Sequence, residues 1–244
     1  MANDAPNHLD EYLDRVLIGG RESREITIVE YDPAWPARFA QERLRIAELG
    51  SVAKRIEHIG STAVPGLAAK PIIDILVTVD DVEDEARYVP TLEACGYVLR
   101  VREPDHRMFR TPARDVHAHV WRCGGDDERR HLLFRDWLRG NAPDRDLYEQ
   151  TKRELARRSW ADTNYYADAK SAVIVAILER AAGDAGTPLA DGGEICLGRF
   201  VEAVVAHRTE SESDIAQSLL ADVQTFNNAG RRDDIAIVVG RFLS

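Results

Sequence analysis

The sequence predicts an α/β fold of the α+β kind: a mixed sheet flanked by helices, with a small helix–helix–strand appendage at its C-terminal end. Three observations predict it. The run Ile72–Val79 is almost continuously apolar, which marks a strand covered on both faces. Short strand-like runs at Tyr97–Arg100, Met108–Arg110 and Val116–Trp121 follow it. Helical patterns at Ala37–Leu49, Val82–Cys95, Asp127–Arg139, Asp144–Arg158 and Asn164–Ala182 surround these strands, so helices and strands share one core.

In chain order, residues 1–25 read as a leader. A short helix begins near Asp10, and Gly19-Gly20 ends it. Ile26–Glu30 has strand character, and Asp32-Pro33-Ala34-Trp35-Pro36 turns the chain into the next helix. Lys54–Ile59 leads into the glycine turn Gly60-Ser61, and a loop with Pro65, Gly66 and Pro71 precedes the apolar strand. Gly183–Pro188 has the composition of a boundary, which gives a main domain over 26–182 and a segment over 187–244. In the latter, Leu197–His207 and Asp214–Phe226 read as helices and Ile235–Val239 as a buried strand.

The 244 residues carry 32 Lys and Arg against 42 Asp and Glu, a formal charge of −10. The two ends hold −7 of it, while Arg129–Arg158 has nine bases against five acids. This pattern favours a small anionic ligand over long nucleic acid, whose phosphates the acidic remainder would repel. No run approaches the ~20 apolar residues of a membrane span, and the acidic N-terminus does not suit a secretory signal, so a cytoplasmic location and no membrane partner are expected. Cys95, Cys123 and Cys196 are odd in number and far apart, which fits reduced structural thiols.

The chemistry concentrates in two stretches. A Gly60-Ser61 turn after a strand suits a phosphate cradle, with Lys70 as a positive charge. Asp74, flanked by isoleucines on the strand, is costly to desolvate without a cation or hydrogen bonds, and so is a candidate metal ligand. In the bland alternative Gly60 shapes a hairpin and Asp74 caps a loop. His117 and His119 lie two residues apart on a strand, hence on one face, and a helix face carries His131, Arg135 and Arg139. Arg135 suits a bidentate phosphate contact.

The segments YDPAWPARF (Tyr31–Phe39), RIEHIGSTAVPGLAAKPIIDILV (Arg55–Val77), HAHVW (His117–Trp121), RHLLFRDWLR (Arg130–Arg139) and YADAKSAVI (Tyr166–Ile174) together resemble the GrpB family. The resemblance spans about Ile26 to Ala182. It implies a nucleotidyltransferase-like domain, of a kind sometimes joined to dephospho-coenzyme A kinase. That superfamily's signature is a Gly-Ser turn, two acids separated by one residue on the next strand, and a third acid on a later strand. Aligned on Gly60-Ser61, Asp74 takes the second acid position and Ile72 the first.

Two-metal phosphoryl transfer needs acids to hold cations about 3.5–4 Å apart, so Ile72 removes half of the pair. The expected compensation is an Asp74, His117 and His119 cluster, which suits Zn²⁺, Mn²⁺ or Fe²⁺ ahead of the oxygen-seeking Mg²⁺. Alternatively, one of these histidines acts as a general base or contacts a phosphate. The resemblance adds His58, Thr62, Lys152 and Lys170 as candidate phosphate or nucleotide contacts. The expected ligand is a nucleotide or small phosphorylated compound. The reading is either a phosphate-group-transferring enzyme, or a non-catalytic nucleotide-binding module, or a domain docking an acidic protein through its basic helix.

The segment from about Thr187 to Arg241 resembles the end of a SpoIIE-type PP2C phosphatase, in which the residue at Asp233 helps hold a metal. The upstream acidic motifs are absent, which favours a fused remnant or docking surface. Its last strand needs a partner strand, from the main domain or from a second copy of the chain as a homodimer.

Overall fold

The computed structural model describes residues 8–23 and 25–184. The expected tail helices and strand, Cys196 and Asp233 lie outside the described residues. Among those described, no helix is long and apolar enough to cross a membrane.

Five strands form one mixed sheet: β1 (Arg55–Ile59), β2 (Ile73–Val79), β3 (Val98–Glu103), β4 (His106–Arg110) and β5 (Val116–Arg122), in the order β1-β2-β5-β4-β3. Only the central β2–β5 pair is parallel. Among the described residues seven α-helices accompany it: α1 (His8–Val16), α2 (Trp35–Ile46), α3 (Val89–Ala94), α4 (Asp126–Gly140), α5 (Ala142–Ala156), α6 (Thr163–Asp168) and α7 (Ser171–Asp184). This is the predicted class of fold, a mixed sheet with helices on it.

Alternation sorts the side chains of the central strands. Ile73, Ile75, Val77 and Val79 of β2 and Val116, Ala118 and Val120 of β5 enter the main core with Trp35, Ile46, Tyr88 and Leu92 from the α2 and α3 side. The opposite face carries Asp74, Leu76, His117, His119 and Trp121. Two helices bury parts of that face: α1, with Leu17 just after it, sets Leu13 and Val16 against Val101, and α4 sets Leu132 against Ile59, Leu76 and Trp121. A helical layer from α4, α5 and α7 then buries Val64 and Leu67 of the loop after β1.

Several elements differ from the sequence reading. Ile26–Glu30 is not a strand: Val29 makes one isolated bridge to Ala69, while Ile26 packs with Leu155 and Tyr166 outside the sheet. The helix expected over Val82–Cys95 shrinks to a 3₁₀ turn at Glu85–Arg87 and α3, because Pro90, which has no N–H to give, sits in the first turn. The single helix over Asn164–Ala182 divides into α6 and α7, and α7 continues to Asp184. Residues 18–22 of the leader are held rather than loose. The guanidinium of buried Arg100 donates to the carbonyls of Ile18 and Gly20, and Glu22 pairs with Arg110 at 2.8 Å.

The turn after β1 has one stringent requirement. Gly60 has φ +67° and ψ −170°, a region only glycine occupies without strain, and an added Cβ would stand 2.6 Å from Asp74 Oδ2. Gly60→Ala is therefore expected to lower unfolding free energy by about 1–3 kcal/mol, read from urea titration. An unchanged midpoint would show that the turn does not pass against Asp74.

Candidate metal centre and anion pocket

Asp74 is the second residue of β2 and lies opposite His117 in the parallel register, with His119 opposite Leu76. All three therefore share the face between α1 and α4. Asp74 Oδ1 stands 3.4 Å from His117 Nδ1 and 3.8 Å from His119 Nε2, and the side chains are 30%, 23% and 22% exposed. One donor atom from each residue falls within 4.8 Å of the others. A carboxylate oxygen and two imidazole nitrogens at this spacing, open to solvent, fit a borderline divalent metal with free positions for a ligand. Burial works to raise the Asp74 carboxyl, and the His117 imidazole beside it brings it below the usual carboxylate range. Burial pushes His119 down to about 4, so its ring is neutral and carries a lone pair at ordinary pH.

Beside this set lies a cluster of amines. Lys152, 2% exposed, donates from Nζ to Ser61 Oγ at 3.0 Å and to the Ala68 carbonyl, and lies 4.8 Å from the centre of the Tyr148 ring. Lys70 and Lys170 both lie against the Tyr166 ring, 5.2 and 4.9 Å from its centre. Burial, with Lys170 and Lys70 adding repulsion, pulls Lys152 down to about 7. Burial also lowers Lys170, which Asp74 opposes. Tyr148 hydrogen-bonds Ser61, and the buried Tyr166 hydroxyl has no hydrogen-bond partner. The cluster thus sets three amines beside an unused hydroxyl, surroundings that suit an anion such as phosphate.

The remaining predicted residues brace this arrangement. His58 lies on the far face of the sheet, stacked on Phe39 at 4.8 Å, and burial pushes it down to about 4. Thr62 Oγ1 donates to the Ile72 carbonyl at 3.0 Å, so His58 Nε2–H donates to Thr62 Oγ1 across 3.0 Å. Ile72 precedes β2 with its N–H on the Lys70 carbonyl. Arg135 is 9% exposed and spends its guanidinium on Glu57, the His58 carbonyl and Asp136. Arg139 donates twice to the Ala63 carbonyl, at 3.0 and 2.9 Å. The shared helix face is real, and it fastens α4 to β1 and to the glycine turn. Sequence reading passed over Tyr148 and Tyr166, whose position beside Ser61 and the lysines depends on how α5 and α6 fold back.

The comparisons with known proteins agree with this architecture. A family model described as GrpB protein matches residues 25–180. A UPF0157 protein of Halalkalibacterium halodurans is 49% identical over 186 residues, covering 74% of this chain and 95% of that protein. The crystal structure of the conserved protein GrpB from Enterococcus faecalis is similar with a TM-score of 0.58 and 34% identity, over 65% of this chain and 98% of that one. A dephospho-CoA kinase of Mycolicibacterium paratuberculosis is 31% identical over 176 residues, which cover 59% of this chain and 43% of that protein. The match covers well over half of the sequence, and this chain belongs to the GrpB family.

Proposed function

We propose that the chain is a nucleotidyltransferase-like enzyme that transfers or removes a phosphate-containing group, acting on a nucleotide or small phosphorylated ligand. The observation that carries this reading is a juxtaposition: the Asp74, His117 and His119 donors and the Lys152 amine flank one glycine turn, with Lys70 and Lys170 near Lys152. A divalent metal bound by the first group would supply Lewis-acid polarisation of a phosphoryl oxygen.

The chain's own residues do the rest. Lys152 and Lys170 offer positive charge to the phosphate, Ser61 and Tyr148 position it, and the Tyr166 hydroxyl is a donor held in reserve. Gly60 lets the ligand-bearing turn close against Asp74. His117, facing Asp74, is placed to hold a proton at Nδ1 or to give that nitrogen to the metal. Arg135, His58 and Thr62 act as struts for the turn rather than as phosphate contacts.

A second reading has its own observation. Ile72 stands where the superfamily's first acid is expected, which favours a module that binds a nucleotide without turning it over. The likeness to part of a dephospho-CoA kinase suits such an accessory role. Calorimetry against a nucleotide panel with and without EDTA separates the two. Metal-independent binding without turnover supports the module.

For the enzyme, Asp74→Asn is expected to lower turnover of the panel about 10²–10³-fold with the thermal midpoint preserved, and wild-type rates in that variant would end the catalytic assignment. The amines make a separate prediction. A lysine with its pKa near 7 is charged below that pH and neutral above it. Metal-free binding of sulfate, whose charge is constant in this range, is expected to weaken as pH rises from about 6 to about 8. Lys152→Arg is expected to remove the step, because a guanidinium stays charged. A flat wild-type profile would remove Lys152 from the anion site.

A further inference from the structure

Behind His119 the structure holds a chain of polar groups that the proposed reaction does not use. Tyr12 of α1 donates to Glu103 Oε1 at 2.5 Å, and Glu103 Oε2 lies 2.6 Å from His106 Nδ1. His106 Nε2 lies 3.1 Å from His119 Nδ1. The two imidazoles are within 10° of parallel with centroids 5.4 Å apart. That separation is little more than the N···N distance with a ring radius at each end, so the rings meet edge to edge and their nitrogens point at one another. Trp121 stacks on both, at 4.8 and 5.0 Å.

Hydrogen-bond bookkeeping gives the sequence a direction. An ionised carboxylate only accepts, so His106 Nδ1 carries the proton that Glu103 receives. In a neutral His106 the other nitrogen, Nε2, must then accept, which requires a proton on His119 Nδ1. His119 Nε2 is left bare. It faces Asp74 Oδ1 at 3.8 Å, beyond hydrogen-bond length. Two lone-pair atoms turned toward each other across that gap repel unless a cation lies between them.

We propose that Tyr12, Glu103 and His106 form a positioning relay that fixes His119 in the Nδ1–H tautomer and so presents Nε2 as a metal ligand. The proposal rests on the metal reading of Asp74, His117 and His119 and extends it to three residues on α1, β3 and β4. Metal-binding histidines commonly owe their tautomer and ring orientation to such outer partners, whose loss costs 10–100-fold in metal affinity.

Two measurements test it, neither of which depends on activity. The first is nitrogen-15 NMR of the histidine rings in the full-length, metal-free protein, which reads the tautomer directly. The expected result is His119 protonated on Nδ1 and bare on Nε2. The second is calorimetric titration with Zn²⁺ and Co²⁺, following the Co²⁺ absorption bands.

Glu103→Gln is the sharper variant because it keeps the shape. With Tyr12 donating to the amide oxygen, the amide nitrogen donates to His106 Nδ1, and each hydrogen bond beyond it reverses. His119 then carries its proton on Nε2, and metal affinity is expected to fall about 10–100-fold. His106→Gln is expected to release the fixed tautomer, with a similar loss.

Nε2–H on His119 of the wild type would overturn the relay, as would unchanged metal affinity in both variants. Failure of the wild type to bind either metal, with the expected tautomer present, would instead overturn the metal centre itself.

Discussion

The parallel pairing of β2 with β5 is the constraint on which the rest of the site depends. It sets Asp74 beside His117 and places His119 one step further along the same face. The polar residues do not hold that register; the apolar ones on the reverse face do. Ile73, Ile75, Val77, Val116, Ala118 and Val120 are essentially fully buried. A slip of one residue in either strand would turn its apolar set outward. Each large aliphatic side chain so exposed forfeits about 1.5–3 kcal/mol, so a single strand's worth rivals the ~5–15 kcal/mol net stability of a whole domain. The core on one side therefore fixes the geometry of Asp74, His117 and His119 on the other.

That dependence explains what was legible in the sequence. A lone carboxylate in an apolar strand and two histidines at strand spacing reveal themselves by local pattern, and the fold brings them together. His106 and Glu103 do not reveal themselves, because their meaning comes from cross-strand register: His106 lies opposite Trp121 on β5 and beside Glu103 on β3. Arg135 shows the opposite difficulty. Helical spacing identifies the face on which it lies with His131 and Arg139, but not that the face meets a carbonyl of β1 and the glycine turn. Ile26–Glu30 has the residues of a strand and is denied a full partner by the tertiary structure, which leaves it one bridge.

The net charge of −10 belongs to the chain as a whole and not to the site. Locally, Lys70, Lys152 and Lys170 gather around two tyrosine rings; burial lowers both Lys152 and Lys170, and repulsion from neighbouring cations adds to the shift at Lys152. On the proposed reading, an anion entering here would offset the repulsion among these amines. Asp74 tempers it from one side, and Glu149, which accepts from the Ala68 N–H, from the other. Gly60 is what allows these opposing charges to approach, since any side chain there would displace the Asp74 carboxylate.

On the proposed reading, the same electrostatics gives a reason for two histidines beside a single acid. A centre built from several carboxylates beside three lysines would pair with them and consume the charge meant for a phosphate. One carboxylate and two imidazoles presenting lone pairs would form a ligand set of charge −1 only, which competes less for the amines. The choice brings a requirement that carboxylates do not have: an imidazole must present its lone pair and not its proton. At His119 the hydrogen-bond chain from Tyr12 through Glu103 and His106 meets that requirement from behind, reaching the sheet from a helix in the leader. On this reading α1 is part of the site's chemistry, although its contacts with the sheet are those of packing.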